Sequence, residues 1–343
     1  MLERPKLADE FIIARLEASY DLGISALAFL PVGNDARAWA YRVETATGDF
    51  YLKLRKGAVN RAALLVPQFL QERGIRNAVA PLRTAGGELF ARFDDYALML
   101  YPFIAGDSKW DMTLSTAQWR EWGGIMREIH CAAIPADLAR AIPEEVFGLK
   151  WLSKLARVEA VLERGDIAGA IAADVADLWR SEAALIDLCR ERYLATGARL
   201  ASQPPAFALC HADIHPANII IDAANRIHIV DWDETLLAPK ERDLMFFIDD
   251  GRPAHTTEAF LAGYGAAPVD PLALAYYKYD WVMQELADYG ERIFLSDDIG
   301  GGDLALAGSE FARLFEPGDV IERAQRAYAR FRISEGYGDA NQD

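Results

Sequence analysis

The stretch His211-Ala-Asp-Ile-His-Pro-Ala-Asn218 runs on through Ile219-Ile-Ile-Asp222, Ala223-Ala-Asn-Arg226 and Ile227-His-Ile-Val230 to Asp231-Trp-Asp-Glu234. Two short apolar runs on either side of an Asn-containing turn are the pattern of a β-hairpin. A hairpin folds back on itself, so Asn218 at the start of one strand and Asp231 at the end of the other become neighbours. Two oxygen donors then face each other. That suits Mg²⁺, a hard cation held by few protein ligands together with phosphates and water. Asp213, five residues before Asn218, is left to accept the proton of a hydroxyl nucleophile. A solvated acidic hairpin with a capping aspartate is the bland alternative, and it leaves the agreement of three positions with one chemistry unexplained.

The D-x-x-x-x-N spacing of Asp213 and Asn218 is that of the kinase catalytic loop, with Asp231 following as the metal-binding aspartate. A kinase also needs a strand lysine for the phosphates. Lys53 in Phe50-Tyr-Leu-Lys-Leu54 fits, shortly after the loop Pro31-Val-Gly-Asn-Asp-Ala-Arg37, where Gly33 and Asn34 would meet the nucleotide. Alone, that loop reads as an ordinary hairpin connection and the lysine as an edge guard. The downstream loop gives both a purpose. Tyr51, Ile220 and Val230 flank the lysine, the asparagine and the metal aspartate, and would supply apolar faces around adenine or serve as plain core. Pro102, Phe103 and Ile104 read as a hinge whose backbone meets the adenine edge. The helix expected over residues 60–72 carries Pro67, which should kink it or delay its start. Its only acidic residue is Glu72 in the last turn, where a kinase would place a glutamate on the lysine, so the partner of Lys53 stays unnamed.

Around this nucleus the chain reads as α+β. A helix is expected over residues 7–20, then strands over 26–30, 39–43, 50–54, 79–82, 89–93 and 96–101. After the hinge the sequence becomes helical and acidic. One helix runs from Ser115 to His130, with Trp119, Trp122, Met126 and Ile129 on its core face and His130 as a helix-terminal or core histidine. At least two more lie between 150 and 200, one of them over 175–193, before Gln203-Pro-Pro205. Another begins near 238, with Asp243 bonding backbone amides. A long one covers 272–294. On it Trp281, Glu285 and Asp288 fall on one face, a carboxylate pair beside an indole that suits a protonated amine, or else a solvated face with one anchoring tryptophan. The Gly-rich run 297–303 reads as a loop, and 336–343 as a disordered tail.

The bulk properties agree with a soluble globular protein: 343 residues, 52% hydrophobic and 26% charged, are enough for one large or two ordinary domains. Cys131, Cys189 and Cys210 lack metal-ligand spacing, and an odd count argues against a disulfide framework. No apolar run approaches the ~20 residues needed to cross a bilayer, and the N-terminus lacks the apolar stretch of a signal peptide, so a cytoplasmic protein without membrane contact is expected. The net charge of −16 is uneven. Residues 1–104 hold 13 Lys+Arg and 12 Asp+Glu, net +1, which leaves 23 of the 36 basic and 40 of the 52 acidic residues for the rest, net −17. Such an acidic part suits a cationic substrate and disfavours nucleic acid, although acidic surfaces also serve solubility alone.

With these residues in view, the chain resembles the aminoglycoside phosphotransferase family, whose loop H-x-D-x-H-x-x-N matches His211, Asp213, His215 and Asn218 and whose next strand ends in Asp231-Trp-Asp233. Met1-Leu-Glu-Arg-Pro5, Tyr101-Pro-Phe-Ile104, Cys210-His-Ala-Asp-Ile-His215 and, most specifically, Ala238-Pro-Lys-Glu-Arg-Asp-Leu-Met245 are similar to its spectinomycin phosphotransferase branch. The resemblance implies a two-lobed protein-kinase-like fold, with a nucleotide-binding N-lobe over 1–103 and a catalytic and substrate-binding C-lobe over 104–343. It implies ATP and Mg²⁺, and transfer of the γ-phosphoryl group to a hydroxyl of an aminocyclitol antibiotic. Asp213 would be the base, Asn218 and Asp231 the metal ligands and Lys53 the phosphate partner. By their own charge and aromatic chemistry, apart from the resemblance, Asp213, Glu234, Trp281, Glu285 and Asp288 are the residues expected to meet a cationic substrate. The lean glycine loop and the missing helix glutamate depart from the pattern and bear on nucleotide geometry. Two other readings remain open: a metabolic kinase of choline, homoserine or a sugar, and a nucleotide-binding pseudoenzyme.

Overall fold

In the computed structural model, residues 4–33, 37–108, 113–248, 251–296 and 299–336 are described. The chain forms α1 (Asp9–Tyr20), β1 (Ile24–Leu30), β2 (Ala38–Thr45), β3 (Gly48–Lys56), α2 (Ala62–Glu72), β4 (Ala91–Phe93), β5 (Tyr96–Pro102), β6 (Gly106–Asp107), α3 (Thr116–His130) and α4 (Ala136–Ala139). It continues with α5 (Leu152–Arg164), α6 (Ala170–Ser181), α7 (Ala183–Ser202), β7 (Ala208–Cys210), β8 (Ile219–Asp222), β9 (Ile227–Ile229) and β10 (Leu236–Ala238). Last come α8 (Glu241–Leu244), α9 (Ala254–Tyr264), α10 (Pro271–Phe294), α11 (Gly301–Arg313) and α12 (Val320–Ser334). The fold is α+β and kinase-like. Its compact units are Met1–Pro143 with Leu209–Leu237 and Ala259–Gly265, and Glu144–Ala208 with Ala238–Glu258 and Ala266–Asp343.

The first unit is built on an antiparallel sheet in the order β1-β2-β3-β5-β4. Successive side chains of a strand point to opposite faces. On β3, Leu52 and Leu54 turn into a core with Ile12, Leu16 and Tyr20 of α1 and with Tyr41, Val43, Leu98 and Leu100, all buried. Full burial of each such leucine is worth roughly 1.5–3 kcal/mol. Tyr20 closes this core by donating its hydroxyl to the Leu98 carbonyl at 3.0 Å, and burial pushes its pKa up to about 12. The same alternation sends Tyr51 and Lys53 to the other face, with Lys53 opposite Ala40 on one side and Met99 on the other. Met99 packs there with Leu64 of α2 and with Leu89. Pro67 lies inside α2 without ending it, because the amide it lacks would have reached only Ala63, the second residue of the helix.

The 79–82 segment is not a strand of this sheet. Pro81 has no N–H to give a ladder; Leu82 donates to the Leu100 carbonyl of β5 at 2.7 Å, while residues 77–79 bracket β9, Ile229 donating to the Asn77 carbonyl at 2.7 Å and Val79 to the Ile229 carbonyl at 2.9 Å. The expected 89–93 strand shortens to β4. Ser115 caps α3 through a capping box with Gln118, as S-x-x-Q predicts. Gly106 belongs to β6, opposite Asp222 of β8, where a Cβ would lie 2.2 Å from the Ile221 carbonyl oxygen; only glycine allows that approach.

The second unit is helical and centred on α10, whose start is set by Pro271 at its first position and by Asp270, which accepts from the amides of Leu272 and Ala273. Tyr276, Tyr277, Tyr279, Val282, Met283 and Leu286 are buried along it. The single helix expected over 175–193 is two, α6 and α7, divided at Glu182. No Gly or Pro marks that break. The glycine run expected as a loop turns helical from Gly301, the start of α11, while Asp297 and Asp298 lie outside the described residues, as does the expected tail beyond Gly336. Among the described residues no helix is long and apolar enough to cross a membrane, and none of Cys131, Cys189 and Cys210 is in a disulfide.

Candidate active site

β8 and β9 form the hairpin that the spacing requires, with Ile219 opposite Ile229 and Ile220 opposite His228. One step beyond the ladder, Val230 donates its amide to the Asn218 carbonyl at 3.0 Å, which fixes Asn218 beside the backbone that leads into Asp231. The far end of the hairpin is tied by Asp222. Its carboxylate accepts from the amides of Ala224 and Arg226, the Arg226 guanidinium and His228, and the His228 bond above all holds it below the usual carboxylate range.

The loop before β8 is stiffened from inside. His211 is fully buried, stacks obliquely on Trp232 at 4.7 Å, and places Nε2 2.9 Å from the Val230 carbonyl oxygen. A carbonyl only accepts, so Nε2 carries the proton and Nδ1 accepts from the amide of Asp213 at 3.3 Å. The backbone bends sharply on both sides of this contact. Ala212 and Asp231 adopt left-handed φ values of 67° and 59°, a strain that non-glycine residues keep only where their surroundings hold them to it. Asn218 Nδ2 donates to both the carbonyl (2.7 Å) and the carboxylate (2.9 Å) of Asp213, orienting the proposed base; His215 Nε2 stands 3.4 Å from the same carboxylate oxygen.

Lys53 meets this hairpin. Its Nζ lies 3.0 Å from Asp231 Oδ1 and 2.8 Å from Asp233 Oδ2. Burial works to discharge the ammonium, but the two carboxylates outweigh it and hold the pKa above the ordinary lysine range. Tyr51 and Tyr101, paired across β3 and β5 with rings 6.3 Å apart, are pushed up by burial, an effect that the Lys53 charge opposes. The missing helix partner is thus explained: α2 offers Lys53 no acid, and Asp233 stands on it instead. Asp233 was not singled out in the sequence, although it sits two residues from Asp231 in an acidic tetrapeptide and the lysine lacked a partner.

The donor set fits Mg²⁺. Asn218 and Asp231 bring hard oxygens to one end of a hairpin, and an ammonium already rests between Asp231 and Asp233, so the place tolerates positive charge. The Asp231 side chain is 49% exposed, open to a ligand, while Lys53 is 15% exposed. Among the other nucleotide positions, Ile220 and Val230 are half-buried on the hairpin, Pro102 ends β5, and Phe103 donates its amide to the Asp49 carbonyl beneath the Arg42 guanidinium. Ile104 follows, half-buried, while Gly33 has φ 88° and Asn34 lies outside the described residues. Glu234 is exposed after Asp233. In the helical unit, Trp281 donates Nε1 to Glu285 at 2.8 Å, and burial raises the Glu285 pKa. Asp288 is bound to Lys154 at 2.8 Å. His130, read as structural, bonds the Tyr264 hydroxyl at 2.7 Å.

The model of the phosphotransferase enzyme family matches residues 28–277. A structure of spectinomycin phosphotransferase APH(9)-Ia in complex with ADP and spectinomycin aligns at 26% identity and a TM-score of 0.84, covering 94% of this chain and 99% of that one. The AMP-bound form of the same enzyme aligns at 25% identity with a TM-score of 0.80, covering 92% and 98%. Choline kinase LicA from Streptococcus pneumoniae shares the fold at 17% identity and a TM-score of 0.58, covering 94% and 99%. Protein StrN of Streptomyces griseus is 26% identical over 292 residues, 82% of this chain and 84% of its own length.

Proposed function

We propose a particular reaction for this chain, which belongs to the phosphotransferase enzyme family: transfer of the γ-phosphoryl group of ATP to a hydroxyl of an aminocyclitol antibiotic, with spectinomycin the first candidate. The class itself, a phosphotransferase acting on an alcohol group, follows from the family. What supports the acceptor is the likeness to a spectinomycin phosphotransferase over nearly the whole of both chains, at a TM-score of 0.84 against 0.58 for the choline kinase.

In this reading Asp213, oriented by the Asn218 amide, takes the proton of the acceptor hydroxyl as it attacks. Lys53 draws the phosphates toward β3, and Tyr51, Ile220, Val230 and the backbone of 102–104 border the nucleotide. Mg²⁺, held by Asn218 and Asp231, would supply the charge that neutralises the phosphate oxygens. Glu234 and, on α10, Trp281, Glu285 and Asp288 are proposed contacts of the cationic acceptor. Phosphorylation adds roughly −1.5 to −2 charge to a cationic drug, a physical route to resistance in a cytoplasmic enzyme. The test is a turnover panel with MgATP in which ADP release is followed for spectinomycin, other aminoglycosides, choline, homoserine and sugars. Spectinomycin should give the highest kcat/KM. Turnover of choline or a sugar alone would replace the acceptor, and ATP binding without turnover of any acceptor would point to the pseudoenzyme.

A further inference from the structure

Protein kinases hold the phosphate lysine with a glutamate on the helix that follows its strand. Here α2, Ala62–Glu72, has its one acid in the last turn, and that residue is exposed. We infer that Asp233 is the positioning partner of Lys53, and that Asn60 clasps it in place from the start of α2.

Asn60 has two tasks at once. Its Oδ1 accepts from the amide of Ala62, the first residue of α2, at 3.1 Å, and its Nδ2 donates to the backbone carbonyl of Asp233 at 2.8 Å. The Asp233 carboxylate in turn accepts from Lys53 Nζ at 2.8 Å and stands 3.4 Å from Nη1 of Arg55, whose Nε is bound to the Ala58 carbonyl at 3.0 Å. A continuous path therefore runs from the first turn of α2 through the Asn60 side chain and the Asp233 main chain to the ammonium of Lys53. It replaces a direct bond from the helix. Asp231, the other carboxylate on Lys53, is also the proposed metal ligand, so its charge is shared once a metal is bound. Asp233, held by three groups from β3 and the segment after it, is the partner that remains. A surface ion pair without such anchoring would fix little.

The effect on turnover rests on the phosphotransferase reading, but the clasp can be tested without it. Asn60→Ser keeps a side-chain acceptor for the Ala62 amide, since serine serves helix starts about as well as asparagine, but it is too short to reach Asp233. Amine acylation of the ligand-free full-length chain, followed by mass spectrometry of the Lys53 peptide, reads how firmly the lysine is held. Lys53 in Asn60→Ser and in Asp233→Asn should react about tenfold faster than in the wild type, the equivalent of one lost hydrogen bond of about 1.4 kcal/mol. Lys154 serves as the unaffected control, and the thermal midpoint of Asn60→Ser should stay unchanged. In steady-state assays the same variants should lose about tenfold in kcat, with KM for MgATP moving less than about threefold, because misplacement costs the transition state more than the ground state. Unchanged Lys53 reactivity in Asn60→Ser, with faster reaction and a lower thermal midpoint only in Asn60→Ala, would reduce Asn60 to a residue of the turn that enters α2 and overturn the inference. If the wild type turns over no acceptor, the proposed reaction falls, while the acylation comparison still decides the clasp.

Discussion

Lys53 in the sheet unit and Arg242 in the helical unit each stand near two carboxylates, yet the two sets behave as opposites. Lys53 binds Asp231 and Asp233, whose side chains are 49% and 36% exposed. Arg242 lies 3.7 Å from Asp280, with both side chains almost entirely buried, and also acts on Glu145. Asp280 further accepts from Trp151 Nε1 at 2.9 Å. In the open set water, phosphate or a metal can take over the exposed Asp231 carboxylate at small cost, since exposed pairs contribute about 0–1 kcal/mol, while Asp233 stays held by Asn60 and Arg55. In the closed set each charge depends on the other, because removing one partner of a buried pair strands the other out of water. The same residue types therefore make an exchangeable site in one place and a structural fastening in the other, and burial is what separates them.

The comparison can be broken most sharply in the loop beside the open set, where substitutions should harm chemistry and leave folding alone. Asp213→Asn should lower kcat by about 10²–10⁴, the usual contribution of a positioned base, with ATP affinity by calorimetry and the urea midpoint unchanged. Turnover near the wild-type level would remove its assigned role. At the closed set the pattern should reverse. Asp280→Asn keeps an acceptor for Trp151 but takes the charge from Arg242, and should cost about 3 kcal/mol in urea unfolding. A loss below about 1 kcal/mol would show that Arg242 draws its stability from its other contacts, such as its approach to the Tyr277 ring. An intermediate case sharpens the rule: Lys154, part-exposed between Asp288 and Glu291, should cost less than about 1 kcal/mol as Lys154→Met.

The smallest effect concerns Glu145. Burial first, and then the Asp280 charge, raise its pKa above the ordinary 4.5. The folded chain thus keeps this proton to a higher pH than the unfolded chain, so the native state binds more protons between the two values. The contribution is present at low pH and is lost as pH rises from about 4.5 through the folded value. Glu145→Gln should remove that decline, and thermal midpoints of both proteins from pH 4 to 7 should converge toward the acid end. Parallel curves would place the carboxyl in water.

Much of the site was legible because it is local. Asp213, Asn218 and Asp231 lie within one loop and one hairpin, so spacing and turn chemistry place them without knowledge of the rest. Lys53 was legible as a polar residue in an apolar strand. What escaped depended on distant partners: Asn60 reaches Asp233 across 173 positions of sequence. The division at Glu182 and the helical start at Gly301 escaped for a related reason, since no residue type at those positions announces a break or a helix. Packing decides both.

By itself the sequence determined the loop geometry, the hairpin, the alternation that turns Lys53 away from Leu52 and Leu54, and the acidic balance of the second part, because each follows from periodicity and residue chemistry over a few positions. Only the tertiary structure decided which acid holds Lys53, which carboxylates stay open and which are sealed with Arg242. Burial and long-range contact set those outcomes, and neither is a property of any single stretch of chain.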